Sequence, residues 1–264
     1  MSKIVKRYIE AKKLHFNLIK TLFFNFRAFR FKEAIKFPVL LYGRIEIEGV
    51  KRGSVVLTKM KAGCVKIGGG WHTDMFGYSN RYKSFIRLYG KLILGEGVIM
   101  QQGLLLSINQ GAILKIGNNV RFNERVTIHS KMKIEIGDNC RVGWNTQILD
   151  TGFHYMVNKG RLTYRDAPVF LGHNVWVANS CSIMKGTWLP AYTVVASNSL
   201  VNKNYVELGE HYLIGGVPAK PIAEGVERLI LRDSEVDKLF ITPDDILYWD
   251  DIKEELNKEK YHKQ

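Results

Sequence analysis

Between Leu171 and Val201 the chain repeats itself every six residues. Leu171, Val177, Ile183, Leu189, Val195 and Val201 open successive blocks. The fifth position of each full block is small or β-branched: Val175, Cys181, Thr187, Thr193 and Ser199. The second position is mostly small or turn-compatible (Gly172, Ala178, Met184, Pro190, Ala196). A period of six fits neither the alternation of a plain strand nor the roughly 3.6-residue period of an amphipathic helix. It is a multiple of two, so short strands keep one face inward while a bend recurs in every block. Periodicity of this kind is the mark of a parallel β-helix, in which three hexads make one triangular coil of about 18 residues.

The same phase runs through Ile116, Phe122 and Ile128 and, after two extra residues, through Ile136, Val142 and Ile148. Between the two regular stretches the pattern stops, and TGFHYMVNKGRLTYRDAP carries aromatic, basic and acidic residues without hexad register. Loops held by a rigid scaffold are where function concentrates. Upstream, the stretches RIEIEG, GSVVLTKM, CVKIGGG and SFIRLYGKLIL read as the first, less regular coils, with a loop at Trp71 to Arg81 that includes His72, Thr73 and Asp74. GGG at residues 68–70 leads into WHTD rather than a helix, which argues against a phosphate cradle. The predicted architecture is mainly β. Residues 1–41 form a basic, amphipathic helical N-terminal segment, residues 42–224 a parallel β-helix with a loop over 151–169, and residues 225–264 a C-terminal helical extension. Within the first segment Ile4, Tyr8, Leu14, Leu18 and Leu22 fall on one helical stripe. It reads both as a cap on the first coil and as a helix lying on a membrane surface.

Charge narrows the partners. The formal net charge is +14, which favours anions: a phosphorylated cofactor, a phospholipid surface or an acidic glycan, with nucleic acid the weakest of these readings. Cys64, Cys140 and Cys181 are odd in number and show no metal or redox spacing. They read as packing residues of a protein in a reducing cytoplasm. No stretch approaches the roughly 18–20 apolar residues of a membrane span, and the N-terminus lacks a signal-peptide pattern.

Several motifs together resemble the hexapeptide-repeat acyltransferases, and more closely the bacterial O-acetyltransferases of sugars and surface polysaccharides. They are Phe122-Asn123, the run from Asp150 to His154, GHNVWVANSCSIMKGT, VVASNSLVNKN and GGVPAK, spread over residues 92–223. The resemblance implies a left-handed prism, against the roughly 98% preference of parallel crossovers for the right hand. It also implies a homotrimer with active sites between prisms, acetyl-CoA as acyl donor and no metal. Transfer to a hydroxyl needs a base, and a histidine, titrating ordinarily near ~6.5, is suited to that at neutral pH. His154 is the candidate base, the alternative being a structural loop histidine. Asp150 is expected either to orient it or to cap the turn at the loop entrance. Asn123 and His129 are candidate acceptor-binding residues. Trp176, Ala178, Ser197, Lys203 and Lys220 match cofactor-groove positions, Ala178 and Ser197 through backbone groups and the lysines through the CoA phosphates. Two rivals are a β-helical zinc carbonic anhydrase, which would need three convergent histidines, and a non-catalytic scaffold or membrane-surface module.

Overall fold

The computed structural model describes residues 15–69 and 81–229. The predicted helices of the tail beyond residue 229, most of the loop with His72, Thr73 and Asp74, and the stripe residues Ile4, Tyr8 and Leu14 lie outside the described residues. Nearly all described residues belong to the first of two compact units, residues 1–228.

Successive strands visit three sheets in rotation, of nine, seven and six strands, which close into a left-handed parallel β-helix of triangular section. All pairings along the prism are parallel until the last, where β23 (Tyr212–Gly216) turns back antiparallel onto β24 (Ala219–Glu224). Strand register measures the coils. Leu41 pairs with Ile67, Ile67 with Met100, Met100 with Phe122 and Phe122 with Val142, before the coil reaches its shortest form where Val177 pairs with Val195. The hexad emerges as the loops shrink, with two extra residues in the coil from Phe122 to Val142 and none from Val177 to Val195.

Every hexad leader from Leu171 to Val201 is buried, and so is every fifth-position residue. Burying each aliphatic leader contributes about 1.5–3 kcal/mol. The small second position has a steric cause. A Cβ on Gly137 would come within 2.7 Å of the Gly172 backbone, and one on Gly172 within 2.5 Å of Ala191 N. Two of the three prism corners use left-handed residues other than glycine, Asn119, Asn139, Asn174 and Tyr192 at one and Arg125, Asn145, Ser180 and Asn198 at the other. Asparagine tolerates this conformation better than other side chains do. Replacing exposed Asn198 (φ 59) by alanine is therefore expected to lower unfolding free energy by about 1 kcal/mol, with Asn198→Gly close to neutral in a denaturant titration.

The N-terminal segment is a cap whose helix α1 (Leu18–Ala28) and short helix α2 (Phe31–Ala34) pack on the first coil. The boundary expected at residue 41 moves back, because β1 (Val39–Leu41) is already the first strand of the nine-stranded sheet. The buried stripe also differs from the one expected. Thr21, Phe24, Asn25 and Ala28 face inward, while Leu18 and Leu22 face solvent. The cause is the open edge of β1. The Asn25 amide donates to Val39 O at 2.7 Å and accepts from Val39 N at 3.2 Å. Thr21 Oγ1 accepts from Leu41 N at 3.0 Å, and Asn17 Nδ2 donates to Gly43 O at 3.1 Å. Buried backbone groups require partners, and this polar row at spacing four meets that need better than leucines. Among the described residues no helix is long and apolar enough to cross a membrane.

Candidate active site

The insertion springs from the corner that follows the seven-stranded sheet. β14 (Gln147–Leu149) ends there, and β17 (Val169–Leu171) resumes the prism. What the sequence presents as an unstructured loop contains a two-stranded hairpin, β15 (Met156–Asn158) against β16 (Arg161–Thr163), turned by Lys159 and Gly160 at φ 48 and 76. The glycine at 160 is a turn signal that hexad counting passes over. The stem is clasped by several bonds. Gly152 N donates to Arg165 O at 2.7 Å, and Ala167 N to Asp150 O at 2.9 Å. Thr151 Oγ1 bonds the Asp166 carboxylate, which Arg165 holds through two nitrogens at 2.9 and 2.7 Å. Hydrogen bonding from Arg165, above all, holds the Asp166 carboxyl below its usual range.

His154 is exposed at the root of this hairpin. The turn that presents it is strained: Phe153 has φ 62, Phe153 N donates to Thr151 Oγ1 at 3.0 Å, and His154 N donates to Gly152 O at 2.7 Å. A bulky residue in the left-handed region is uncommon and accompanies functional sites. The Phe153 ring rests 5.2 Å from that of His129, with Lys131 Nζ 5.6 Å from its centroid.

Asp150 is engaged inside the prism corner. Its carboxylate is fully buried and accepts from Ser130 Oγ at 2.8 Å, Lys131 N at 2.7 Å and Met132 N at 2.9 Å. No described hydrogen bond joins it to His154. It locks the corner of the preceding coil at Lys131 and Met132, not the turn at the loop entrance. His129 is half-buried at the end of β11 (Thr127–Ser130), with Nε2 unpartnered among the described residues. Burial lowers its pKa below the ordinary 6.5, outweighing attraction to Asp150. A histidine depressed in the fold takes up its proton more readily when unfolded, so it contributes stability above pH 6.5 that is lost as pH falls through the depressed value. His129→Gln is expected to flatten the fall of the melting temperature between neutral and mildly acid pH.

The cofactor candidates lie elsewhere. Asn123, Ala178 and Ser197 occupy the corner that precedes the seven-stranded sheet, Asn123 and Ala178 two rungs or about 10 Å apart. Trp176 stands half-exposed on the adjoining nine-stranded face. Ala178 departs from expectation: its N–H donates to Val195 O at 2.9 Å and its carbonyl accepts from Thr146 Oγ1 at 3.0 Å. The amide is spent on the coil below, so only the carbonyl's second lone pair stays open. The Ser197 hydroxyl donates to Asn179 Oδ1 at 2.7 Å. Exposed Lys203 follows β22 (Leu200–Val201) at the His154 corner, and exposed Lys220 lies on β24. Within one chain, then, His129, Asp150, His154 and Lys203 share one edge of the seven-stranded sheet, and Asn123, Ala178 and Ser197 the other. The cysteines are free and buried, and burial pushes the Cys140 thiol up to about 12, as befits packing residues. Among the described residues no cluster of three His, Cys, Asp or Glu side chains is placed to hold a metal.

No family model matches the chain. It is 28% identical over 160 residues to the galactoside O-acetyltransferase of Escherichia coli K12, covering 58% of this chain and 76% of the relative. A putative lipopolysaccharide biosynthesis O-acetyl transferase, WbbJ, from the same organism is 26% identical over 152 residues, 54% of this chain and 76% of that one. Among solved structures, a polysialic acid O-acetyltransferase superposes on 75% of this chain and 95% of its own at 22% identity, with a TM-score of 0.47. In its six-residue repeat, in the triangular prism that repeat builds and in its similarity to two O-acetyltransferases over three quarters of their length, this chain is similar to the hexapeptide-repeat acetyltransferases.

Proposed function

We propose that the protein transfers an acetyl group from acetyl-CoA to a hydroxyl of a sugar in a bacterial surface glycan or its precursor. The observation that carries this reading is the presentation of His154, an exposed imidazole on a strained turn clasped to a rigid corner. The imidazole takes the proton of the acceptor hydroxyl as its oxygen attacks the thioester carbonyl. The tetrahedral intermediate collapses, expelling the CoA thiolate, which recovers that proton from the imidazolium. No acyl-enzyme forms and no metal takes part. Trp176, the Ala178 carbonyl, the Ser197 backbone and the lysines at 203 and 220 would receive the donor, lysine ammonium groups facing its phosphates. Asn123 and His129 would hold the acceptor.

The two halves of this site stand on opposite edges of one sheet, so they meet when the His154 edge of one prism faces the Ser197 edge of another. A homotrimer closes such a head-to-tail contact. The buried thiols fit a reducing cytoplasm, where acetyl-CoA is at hand. The test is an acceptor screen with acetyl-CoA, reading thiol release and the mass of acetylated product. Turnover on a sugar acceptor supports the reading. Failure of every glycan acceptor, together with no shift of the melting curve by acetyl-CoA, overturns it.

A further inference from the structure

Helix α1 is apolar on the side away from the prism as well as on the side toward it. With Thr21, Phe24, Asn25 and Ala28 turned inward, the helical period puts Ile19, Phe23 and Phe26 on the opposite face, with Leu22 beside them. Ile19 is 78% exposed, and Phe31 of α2 is 68% exposed. The rings of Phe26 and Phe31 lie 5.9 Å apart, so the two helices share a single patch. A helix that served only as a cap would carry polar residues there.

The rim of the patch is cationic. Lys20 and Arg27 flank one side of α1, and Arg30, Lys32 and Lys36 follow around α2. Among the described residues none of the five is ion-paired. The only acid between residues 15 and 37 is Glu33, whose carboxylate is engaged with Arg30 N at 3.1 Å.

We propose that this end of the prism seats on the surface of an anionic phospholipid bilayer, with α1 lying in the plane of the interface. Lipid supplies both features the patch lacks: hydrocarbon for the phenylalanines and Ile19, and phosphate at the level of the cationic rim. A second copy of the same face would set five cations against five, and like charges in contact oppose pairing. No described helix is long enough to span, so the contact stays at the surface. The proposal rests on exposed residues remote from His154 and stands whether or not the acceptor is a sugar.

The experiment is co-sedimentation of the full chain with vesicles of phosphatidylcholine alone or mixed with phosphatidylglycerol. Binding is expected with the mixed vesicles only and should weaken with salt. Arg30→Ala with Lys32→Ala should weaken it about 25-fold at low salt, from roughly fivefold per basic residue. Ile19→Ser with Phe31→Ser should abolish it while the melting curve holds. Acetyl transfer to a soluble acceptor should persist in both variants, and vesicle binding should persist in His154→Ala. Equal pelleting with both vesicle types overturns the proposal, as does undiminished binding by both double variants. So does a larger assembly in light scattering that the serine variant loses without any lipid binding, which would assign the patch to a second copy.

Discussion

Replacing His154 with alanine is expected to lower acetyl transfer by about 10²–10⁴-fold, the usual worth of a positioned general base. The melting curve should barely move, because the side chain is exposed and makes no described hydrogen bond. Acetyl-CoA should still shift that curve, since Trp176, Ser197 and the lysines are untouched. The loss belongs in kcat more than in KM, as the base acts on the reacting proton rather than on uniform binding. A variant that kept near wild-type turnover on the true acceptor would remove His154 from the reaction and leave half-buried His129, whose ring lies 5.2 Å from that of Phe153, as the next residue to test.

The second large effect is one of stability. Asp150→Ala strips the acceptor from three donors at once, Ser130 Oγ, Lys131 N and Met132 N, by removing a carboxylate that is itself fully buried. Left unsatisfied, they are expected to lower unfolding free energy by about 3–4 kcal/mol, at roughly 1–3 kcal/mol for each orphaned group before relaxation. Asp150→Asn keeps a single carbonyl acceptor and should fall between wild type and alanine. Denaturant unfolding and kcat, measured on the same samples, separate the two roles weighed for this residue. A structural lock loses stability first and activity in proportion to the folded fraction. Lost kcat at unchanged stability in the asparagine variant would restore an orienting role, supplied by contacts that form only in the assembled enzyme.

The prism was legible because its signal is carried by residues whose environment repeats. Leu171, Val177 and Ile183 each sit at the same inward position, so a one-dimensional period reports a three-dimensional one. The same logic held information about Asp150 that motif reading passed over. It lies 20 residues after Ser130, the length of the coil there, so the two were bound to stack. The helix at the N-terminus was harder. Leucine spacing pointed to one face, whereas Asn17, Thr21 and Asn25 decide the other because an open strand edge demands hydrogen bonds that no leucine makes. The hairpin from Met156 to Thr163 escaped because its exposed strands bury no face and leave no apolar alternation to read. Spacing put Ala178 at a coil corner but could not show that the next coil takes up its amide, since that depends on which strand lies beneath it.

The bonds from α1 to β1 have a consequence for the state in which this protein persists in a cell. A parallel β-helix with bare ends is a template: each terminal coil offers a ready row of donors and acceptors to any chain of like pitch. Here the nine-stranded sheet is closed at one edge by asparagine and threonine side chains standing in for an absent coil, and it ends at the other in a strand that reverses direction. Length is therefore set by two stoppers of different construction, and the repeat between them is free to drift in sequence without the molecule becoming a filament.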